Sequence, residues 1–178
     1  MAFKVIENFL DKKIFESIKE IITSANFPWY YNNSITEYNE EQSNLQSEVK
    51  DTSAFMFTHN FYGDNRVNSD FFERLILPIC CALKFDELDR VKANCYTKTN
   101  ERIKHKFHVD TNNKHTVGLF SINSNNGYTE FEGDNRVRSL ENTMILFEGD
   151  TLHRSVTQTD ENLRININFN LINNEKNH

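Results

Sequence analysis

Two histidines and one aspartate in this chain have the residue types and the spacing of a metal site. His108 and Asp110 are separated by one residue, so on an extended strand both side chains project to the same face. His153 follows later in the chain, in another strand-like segment. Two imidazoles and one carboxylate that hold one face of a metal, with the other positions open, form the ligand set of non-haem Fe(II) sites. Such a site needs a fold that brings these two regions of the chain together.

The composition indicates one folded domain. The chain has 178 residues, a net charge of −6 and 38% hydrophobic residues, which is enough to bury a sizeable core. The acidic balance argues against general affinity for nucleic acid, which depends mainly on lysine and arginine. No segment approaches the roughly 20 apolar residues of a membrane span. Because the N-terminus also lacks the pattern of a secretory signal, we expect a cytoplasmic protein.

The three cysteines favour the same compartment. Their number is odd, and Cys80 and Cys81 are adjacent, which suits a reducing environment better than a disulfide framework. Their spacing also lacks the paired CxxC pattern of a zinc site. We therefore expect Cys80, Cys81 and Cys95 to be buried thiols that pack as small hydrophobic residues.

The first half of the chain predicts helices that support a core. A short strand is expected over residues 3–10, and Asp11 could then cap a helix that runs to about Ser24. A second helix is expected over residues 71–83, capped by Ser69 or Asp70 and kinked or split at Pro78. The first of these segments has apolar residues at helical spacing, namely Ile14, Phe15, Ile18, Ile21 and Ile22.

Two further segments in this half could contact a substrate. The run from Phe27 to Tyr31 places aromatic rings beside a proline, which is compatible with a substrate entrance or with a loop packed on the core. The run from Thr36 to Val49 is polar and lacks apolar periodicity, so it is expected to be a loop or a lid. His59 lies in a strand-like aromatic run and is expected to be structural.

From Arg90 onward the pattern is that of short strands. Between Arg90 and Tyr96, apolar residues alternate with Lys92, Asn94 and Tyr96, as in a strand with two different faces. Asn-Gly and Gly-Asp turns separate further strand-like runs, and a turn at 125–127 is of the hairpin type. The expected strands cover residues 106–110, 116–123, 128–131, 136–139, 143–147, 152–157 and 163–171.

This order of elements predicts a mainly β fold of the α+β class. Many short strands that follow a helical N-terminal third are typical of a double-stranded β-helix, or jelly roll, with helices packed outside. We expect one domain over residues 1–178, in which residues 1–89 supply helical support and substrate loops. Residues 90–172 would form the jelly-roll core.

The last expected strand alternates strictly between polar and apolar residues. Ile165, Ile167, Phe169 and Leu171 share one face, and Arg164 and three asparagines share the other. In a jelly roll that encloses a polar ligand, the polar face can point inward while the apolar face packs under the helices. Arg164 would then lie at the bottom of a pocket, where its planar fork of donors matches a carboxylate.

Taken together, these motifs resemble the 2-oxoglutarate/Fe(II)-dependent dioxygenase superfamily, in particular its prolyl-hydroxylase-like branch. The resemblance rests on His108-Val109-Asp110, on the segments 126–131 and 147–153, and on Arg164. The stretches 27–30 and 92–96 are similar to small phage-encoded members, so the resemblance covers most of the chain. A phage-encoded protein of this kind would work in the host cytoplasm.

The resemblance implies the cofactors and the residues that bind them. Fe(II) would be bound by His108, Asp110 and His153, and Arg164 would pair with the far carboxylate of 2-oxoglutarate. O2 would be the second substrate, with ascorbate as an optional reductant. Further contacts with 2-oxoglutarate are implied for Tyr96, Thr129, Ser121 and Asn166.

One departure from the family concerns the strand that ends Ser121-Ile122-Asn123. Many prolyl-hydroxylase-like members have Tyr-Leu-Asn there, and the tyrosine touches the cosubstrate. A serine hydroxyl can still donate a hydrogen bond but reaches less far. Tyr96 or Thr129 would therefore take more of that role.

The activity implied by the resemblance is hydroxylation of an unactivated C–H bond in a prolyl or similar amino-acid or peptide substrate. One alternative is a nucleic-acid dealkylase of the AlkB type, because Arg164-x-Asn166-x-Asn168-Phe169 is similar to a strand of that family. Here Asn170 stands where those enzymes have a second arginine. Another alternative is a non-catalytic jelly-roll binding module, such as a virion component. His105 and His115 flank the motif in polar loops and are expected to be solvated or to touch substrate.

Overall fold

The structure is a computed structural model that describes residues 3–33, 55–110 and 114–173. The polar segment from Thr36 to Val49, expected to be a loop or a lid, lies outside these residues. In chain order the elements are β1 (Lys4–Ile6), α1 (Lys12–Ile22), β2 (Tyr30–Asn32), β3 (Met56–Gly63), β4 (Arg66–Val67), a π-helical turn (Phe72–Ile76), α2 (Leu77–Ala82), β5 (Glu87–Thr97), β6 (Thr116–Ser121), β7 (Tyr128–Phe131), β8 (Arg136–Arg138), β9 (Thr143–Glu148), β10 (His153–Val156) and β11 (Leu163–Ile172).

The strands form two antiparallel sheets. In the larger sheet the strand order is β1-β9-β6-β11-β5-β3-β2, with β4 paired to β3, and in the smaller sheet it is β10-β7-β8. Successive strands cross from one sheet to the other between β6 and β7, between β8 and β9, and on both sides of β10. These crossings give the predicted jelly roll. Strands β1 to β4 precede residue 90 but belong to the same larger sheet as strands that follow it. The division of the domain at residue 90 therefore stays a prediction.

Strand β11 separates the apolar core from the polar interior. Its residues Ile165, Ile167 and Phe169 belong to the same buried cluster as Phe15 and Ile18 of α1. Each fully buried side chain of this size contributes roughly 1.5–3 kcal/mol of hydrophobic free energy. The polar residues of β11 face the space between the two sheets, as the alternation in the sequence predicts.

The helices follow their sequence signals. Asp11 caps α1 by accepting a hydrogen bond of 2.9 Å from the Lys13 backbone N–H. Ser69 accepts one of 3.1 Å from the Phe71 backbone N–H, and the expected second helix is split into the π-helical turn and α2. Pro78 lies in the first turn of α2, directly after the π-helical turn, and its missing N–H cannot bond to a carbonyl of that turn. Among the described residues, no helix has both the length and the apolar character needed to cross a bilayer.

The aromatic segment before β2 divides into a packed part and an exposed part. Phe27 and Trp29 pack in the core, which confirms the packed-loop interpretation for these two rings. Tyr30 and Tyr31 are 62% and 65% exposed on the edge strand β2.

Two strand-level predictions are wrong. Residues 106–110 do not form a strand and are paired to β10 only through the isolated bridge of His108 with His153, and a second isolated bridge joins Lys104 to Val156. From Lys104 to His108 the chain advances four residues, whereas β10 advances only three between Val156 and His153. This one extra residue interrupts the ladder of backbone hydrogen bonds. The turn at 125–127 does not close a hairpin, because β6 and β7 belong to different sheets.

The cysteine prediction is only partly confirmed. All three thiols are free, and Cys95 is buried, but Cys80 is half-buried and Cys81 is exposed. The short helix α2 directs Ile79 into the core, and Cys81, two residues further around the helix, faces solvent.

Candidate metal and cosubstrate site

The structure brings the three predicted metal ligands together. His153 is the first residue of β10, and it exchanges backbone hydrogen bonds of 2.9 and 3.0 Å with His108. The bridge places the two rings with their centroids 4.5 Å apart. Asp110 reaches the same point, and the three potential ligand atoms lie within 4.8 Å of one another.

Hydrogen bonds on the far side of each ring orient the histidines. His153 Nδ1 lies 2.9 Å from the Thr151 carbonyl oxygen, and His108 Nδ1 lies 3.4 Å from the Lys106 carbonyl oxygen. Because a carbonyl can only accept, each Nδ1 carries the hydrogen in the neutral ring, and each Nε2 presents its lone pair. Both Nε2 atoms are 3.7 Å from Asp110 Oδ1, which is too far for a hydrogen bond. Three electron-pair donors therefore converge on one point.

The protonation states at this point favour cation binding. Burial, reinforced by the nearby His153, lowers the pKa of His108, so its ring is neutral at neutral pH. Burial alone would raise the pKa of Asp110. Electrostatic interactions with the neighbouring His153 ring, the Asn168 amide and Arg90 outweigh that effect and hold the pKa below its ordinary value. The carboxylate is thus ionised in a partly desolvated position, where an added cation would be strongly attracted.

Asn168 on β11 positions the carboxylate. Its Nδ2 donates a hydrogen bond of 2.8 Å to Asp110 Oδ2. This contact occupies one carboxylate oxygen and leaves Oδ1 directed at the two imidazoles. Outer contacts of this kind orient the ligands in metal sites generally.

Arg164 closes the other end of the site. Its guanidinium is 2% exposed. Nε donates to Ser139 Oγ at 2.7 Å, Nη2 lies 3.3 Å from Thr129 Oγ1, and Nη1 donates to Ser155 Oγ. The same group stacks over the Tyr96 ring, 5.4 Å from its centroid. A buried guanidinium held by hydroxyl groups keeps its full charge for an anion that enters from the cavity.

A cavity of about 60 Å³ connects Arg164 with the triad. One water occupies roughly 10–15 Å³ on the same measure. The cavity therefore has room for a few small groups between the two sheets. Its lining residues are Met56, Arg90, Lys92, Asn94, Tyr96, His108, Asp110, Leu119, Thr129, His153, Ser155, Arg164, Asn166 and Asn168.

Three of the four additional residues predicted to contact a cosubstrate line this cavity. They are Tyr96, Thr129 and Asn166, and burial raises the pKa of Tyr96, so its hydroxyl stays protonated as a donor. Ser121 is buried and lies opposite Asn166 in the β6–β11 ladder, but it does not belong to the lining. A contact between Ser121 and a cosubstrate stays a prediction.

The other histidines of the described chain have structural surroundings. His105 and His115 were expected to be solvated or to touch substrate. Solvation is wrong, since they are 7% and 4% exposed, and a contact with substrate stays a prediction. His105 stacks on Tyr96, and the ring of His115 lies directly over Gly149, where a side chain would collide with it. His59 lies within hydrogen-bond distance of the Pro28 carbonyl oxygen and Ser69 Oγ, both at 2.7 Å, and is structural as predicted.

Sequence reasoning assigned no role in the site to five polar residues of the cavity wall: Arg90, Lys92, Asn94, Ser155 and Asn168. Strand alternation carried the signal in each case. Ser155 lies two residues after His153, and Asn168 lies four residues after Arg164. The face of β5 that bears Tyr96 also bears Lys92.

The donor set fits Fe(II), and the closed end fits a carboxylate. Two atoms 3.7 Å apart can both reach one ion, since bonds from divalent metals to nitrogen and oxygen are about 2.0–2.2 Å. Two histidines and one carboxylate on one side leave the remaining positions of the ion open to the cavity. At the far end, Arg164 can pair with a carboxylate, as 2-oxoglutarate would require.

No protein-family model and no curated protein sequence matches the chain. Solved structures do match it along almost its whole length. A 2OG-Fe(II) oxygenase family oxidoreductase from Burkholderia pseudomallei aligns with a TM-score of 0.62 at 11% identity, covering 98% of this chain and 88% of that one.

Two further neighbours have related chemistry. The non-haem α-ketoglutarate-dependent epimerase SnoN of nogalamycin biosynthesis aligns with a TM-score of 0.59 at 10% identity, covering 96% of this chain and 78% of that one. A Trichoplax adhaerens prolyl hydroxylase, in complex with a hypoxia inducible factor peptide fragment, aligns at 0.56 and 12% identity, covering 95% and 83%. At such identities the similarity shows the fold, which is that of the 2-oxoglutarate/Fe(II) oxygenases.

Proposed function

We propose that this protein is a 2-oxoglutarate- and Fe(II)-dependent dioxygenase that hydroxylates an unactivated C–H bond. The observation that carries the proposal is the convergence of His108, Asp110 and His153 in the same cavity that Arg164 closes. The three ligand-type residues alone, or the buried Arg164 alone, would have ordinary structural explanations. A metal-type donor set and a buried guanidinium that share one small cavity match a metal together with a cosubstrate that carries a distal carboxylate.

Each residue has a defined task in this proposal. Bound together, Fe(II), 2-oxoglutarate and O2 supply oxidative decarboxylation coupled to oxidation of a C–H bond. The two Nε2 atoms and Asp110 Oδ1 would hold the metal, and Asn168 keeps that carboxylate oriented. Arg164 would bind the distal carboxylate of 2-oxoglutarate. Tyr96, Thr129 and Asn166 line the path between them and would orient the cosubstrate.

The substrate proposed is a prolyl residue or a similar amino acid or peptide. Support comes from the prolyl hydroxylases among the structural neighbours, one of which is bound to a peptide. The net charge of −6 and Asn170 in place of a second arginine weigh against the nucleic-acid dealkylase alternative. A phage origin and a location in the host cytoplasm stay predictions from the sequence.

The test is turnover without added substrate. Purified protein with Fe(II), ascorbate, O2 and 2-oxoglutarate should release succinate at a low uncoupled rate, which is measured by chromatography. Asp110→Ala should abolish the release because it removes the charged metal ligand. Asp134→Ala is the matched control, since Asp134 is 89% exposed, and it should retain the wild-type rate.

The same assay separates the alternative functions. Absence of both succinate release and Fe(II) binding in the wild-type protein would favour the non-catalytic binding module. If succinate is released, its stimulation by peptides, free amino acids or alkylated nucleosides distinguishes a hydroxylase from a dealkylase.

A further inference from the structure

Two side-chain acceptors in the cavity wall have no donor among the described residues. Asn94 and Asn168 line the cavity and are 6% and 8% exposed. Asn94 Nδ2 donates to Asn166 Oδ1 at 3.1 Å. Asn168 Nδ2 donates to Asp110 Oδ2 at 2.8 Å. These contacts fix both amides, yet neither Oδ1 accepts a hydrogen bond from any residue that the structure describes. A buried acceptor without a donor is costly, so both positions are suited to a ligand that donates.

The cosubstrates of the proposed function cannot supply these donors. At neutral pH both carboxylates of 2-oxoglutarate are ionised and only accept hydrogen bonds, as does its keto oxygen. O2 has no hydrogen to donate either. The two acceptors therefore fit a donor on the molecule that is oxidised, or water. In the amino-acid and peptide class proposed above, the donor common to the class is an N–H group.

The two acceptors are spaced like alternate N–H groups of an extended peptide. In the β5–β11 ladder Asn94 is opposite Asn166, and Asn168 is two residues further along β11. The β-carbons of such diagonal neighbours lie about 7–8 Å apart. Residues i and i+2 of an extended chain are separated by about 6.6 Å, and their N–H groups point to the same side. The residue between them can be a proline, since it needs no N–H on that side.

A peptide held in this way passes the metal ligands and has a route out of the cavity. Asn168 contacts Asp110, so a chain that spans both acceptors brings its central residue beside the triad. Thr58 of β3 is opposite Asn94 on the same face and is half-buried, and Asn60, two residues further, is exposed. The polar floor of the cavity thus extends across β3 to the surface, where the peptide can continue.

We infer that Asn94 and Asn168 accept hydrogen bonds from the two backbone N–H groups that flank the oxidised residue. The substrate is then an extended peptide. This inference rests on the proposed dioxygenase function. It narrows the proposed substrate class, because a free amino acid has a single backbone nitrogen and cannot reach both acceptors.

The experiment measures peptide binding and its dependence on N–H groups. Acetylated and amidated tripeptides Xaa-Pro-Yaa, with every common amino acid at each flanking position, are titrated anaerobically into protein with 2-oxoglutarate, with and without Fe(II). The free amino acids are titrated in parallel. Wild-type protein should bind at least one peptide about tenfold or more tightly than any free amino acid. N-methylation of the Xaa or the Yaa nitrogen of that peptide removes one donor, and each should weaken binding about tenfold.

The wild-type series alone can overturn the inference. It is overturned if no peptide is preferred over the free amino acids. It is also overturned if N-methylation at either position leaves the affinity unchanged, because water would then fill the corresponding acceptor.

A variant assigns one of the two bonds. In Asn94→Ala, one of the N-methylations should no longer weaken binding, because the acceptor of that N–H group is gone. The other N-methylation should keep its effect. Asn26→Ala, at an exposed position in the turn after α1, is the matched control and should behave as the wild type. Thermal unfolding checks that both variants are folded. If both N-methylations weaken binding to folded Asn94→Ala as they do in the wild type, the inference is overturned.

The two proposals fail separately. Peptide binding that depends on both N–H groups, without any succinate release, would remove the dioxygenase function and leave the peptide site in place. Succinate release together with a preference for a free amino acid would remove only the peptide site.

Discussion

Asp110 and Glu130 are both buried carboxylates, and their surroundings differ in one respect. Their side chains are 7% and 1% exposed. Glu130, on β7, accepts hydrogen bonds from Lys104 at 3.1 Å, from Arg136 at 2.9 Å and from Arg154 at 2.6 Å. The cations that neutralise Glu130 are therefore all supplied by its own chain.

Asp110 has a different set of neighbours. Its Oδ2 accepts from Asn168, and its Oδ1 faces two imidazole nitrogens that are themselves electron-pair donors. Glu130 and its cations link the neighbouring strands β7, β8 and β10 of the smaller sheet. A carboxylate surrounded by further donors is arranged for a cation from outside the chain. By their contacts, Glu130 is a structural acid and Asp110 is the proposed metal ligand.

The largest expected effect concerns stability. Glu130→Ala should lower the free energy of unfolding by about 2–4 kcal/mol, because it leaves three cations without their shared partner. The Lys104 and Arg136 side chains are about half exposed, so solvent can compensate part of their charge. The loss of stability should therefore be smaller than in a fully buried network. Asp110→Ala should cost the metal-free protein less than about 1 kcal/mol. Urea denaturation of the two variants measures both values, and equal losses would contradict the distinction.

The next effect is on metal affinity. Asn168→Ala should weaken Fe(II) binding by about 10- to 100-fold, because the carboxylate loses the contact that directs Oδ1 at the imidazoles. Glu130→Ala should leave the affinity of the folded protein unchanged. Anaerobic titration with Fe(II) makes the comparison, and an unchanged affinity in Asn168→Ala would exclude the positioning role.

A smaller effect is expected at the closed end of the cavity. A Cβ on Gly127 would lie 2.8 Å from Asn125 Oδ1, 3.0 Å from the Val156 carbonyl oxygen and 3.1 Å from Arg164 Cδ. Gly127→Ala should therefore displace the guanidinium and lower 2-oxoglutarate affinity about tenfold while Fe(II) affinity is retained. Gly63→Ala is the matched control, because its Cβ would meet no atom closer than 3.7 Å. Equal 2-oxoglutarate affinities in the two variants would contradict this account of Arg164.

The smallest effect is a pH dependence of stability. Burial raises the pKa of Glu130, but Lys104, Arg154 and Arg136 outweigh it and hold the pKa below the ordinary value of 4.5. A lowered pKa stabilises the fold above the unfolded-state pKa, and the contribution is lost as pH falls through the folded-state value. The difference in unfolding free energy between wild type and Glu130→Gln should thus be constant above about pH 5 and shrink below it. A difference that grows on acidification would have the wrong sign.

Strand alternation explains why much of the site could be predicted. The alternating residues of β11 predicted both an apolar face under α1 and an inward Arg164, because burial on one side of a sheet leaves a period of two in the sequence. Residue type singled out His108, Asp110 and His153, and the fold brings them together. The same alternation covers Asn168 and Lys92, but these residue types have many structural uses, and the sequence analysis assigned them no role in the site.

The parts that could not be predicted depend on packing between segments. His105 and His115 look solvated among polar neighbours, and only the ring of Tyr96 and the bare backbone of Gly149 explain their burial. Likewise, the turn at 125–127 has hairpin residues, but whether the next strand stays in the same sheet depends on pairing partners far along the chain.

The most direct test of the central claim is the stoichiometry of Fe(II) binding under anaerobic conditions. Isothermal titration calorimetry of wild type, Asp110→Ala and Glu130→Gln, each with 2-oxoglutarate, gives the number of metal ions per chain. The account predicts one Fe(II) per chain in wild type and in Glu130→Gln, and none in Asp110→Ala. Equal Fe(II) binding by wild type and Asp110→Ala would contradict it.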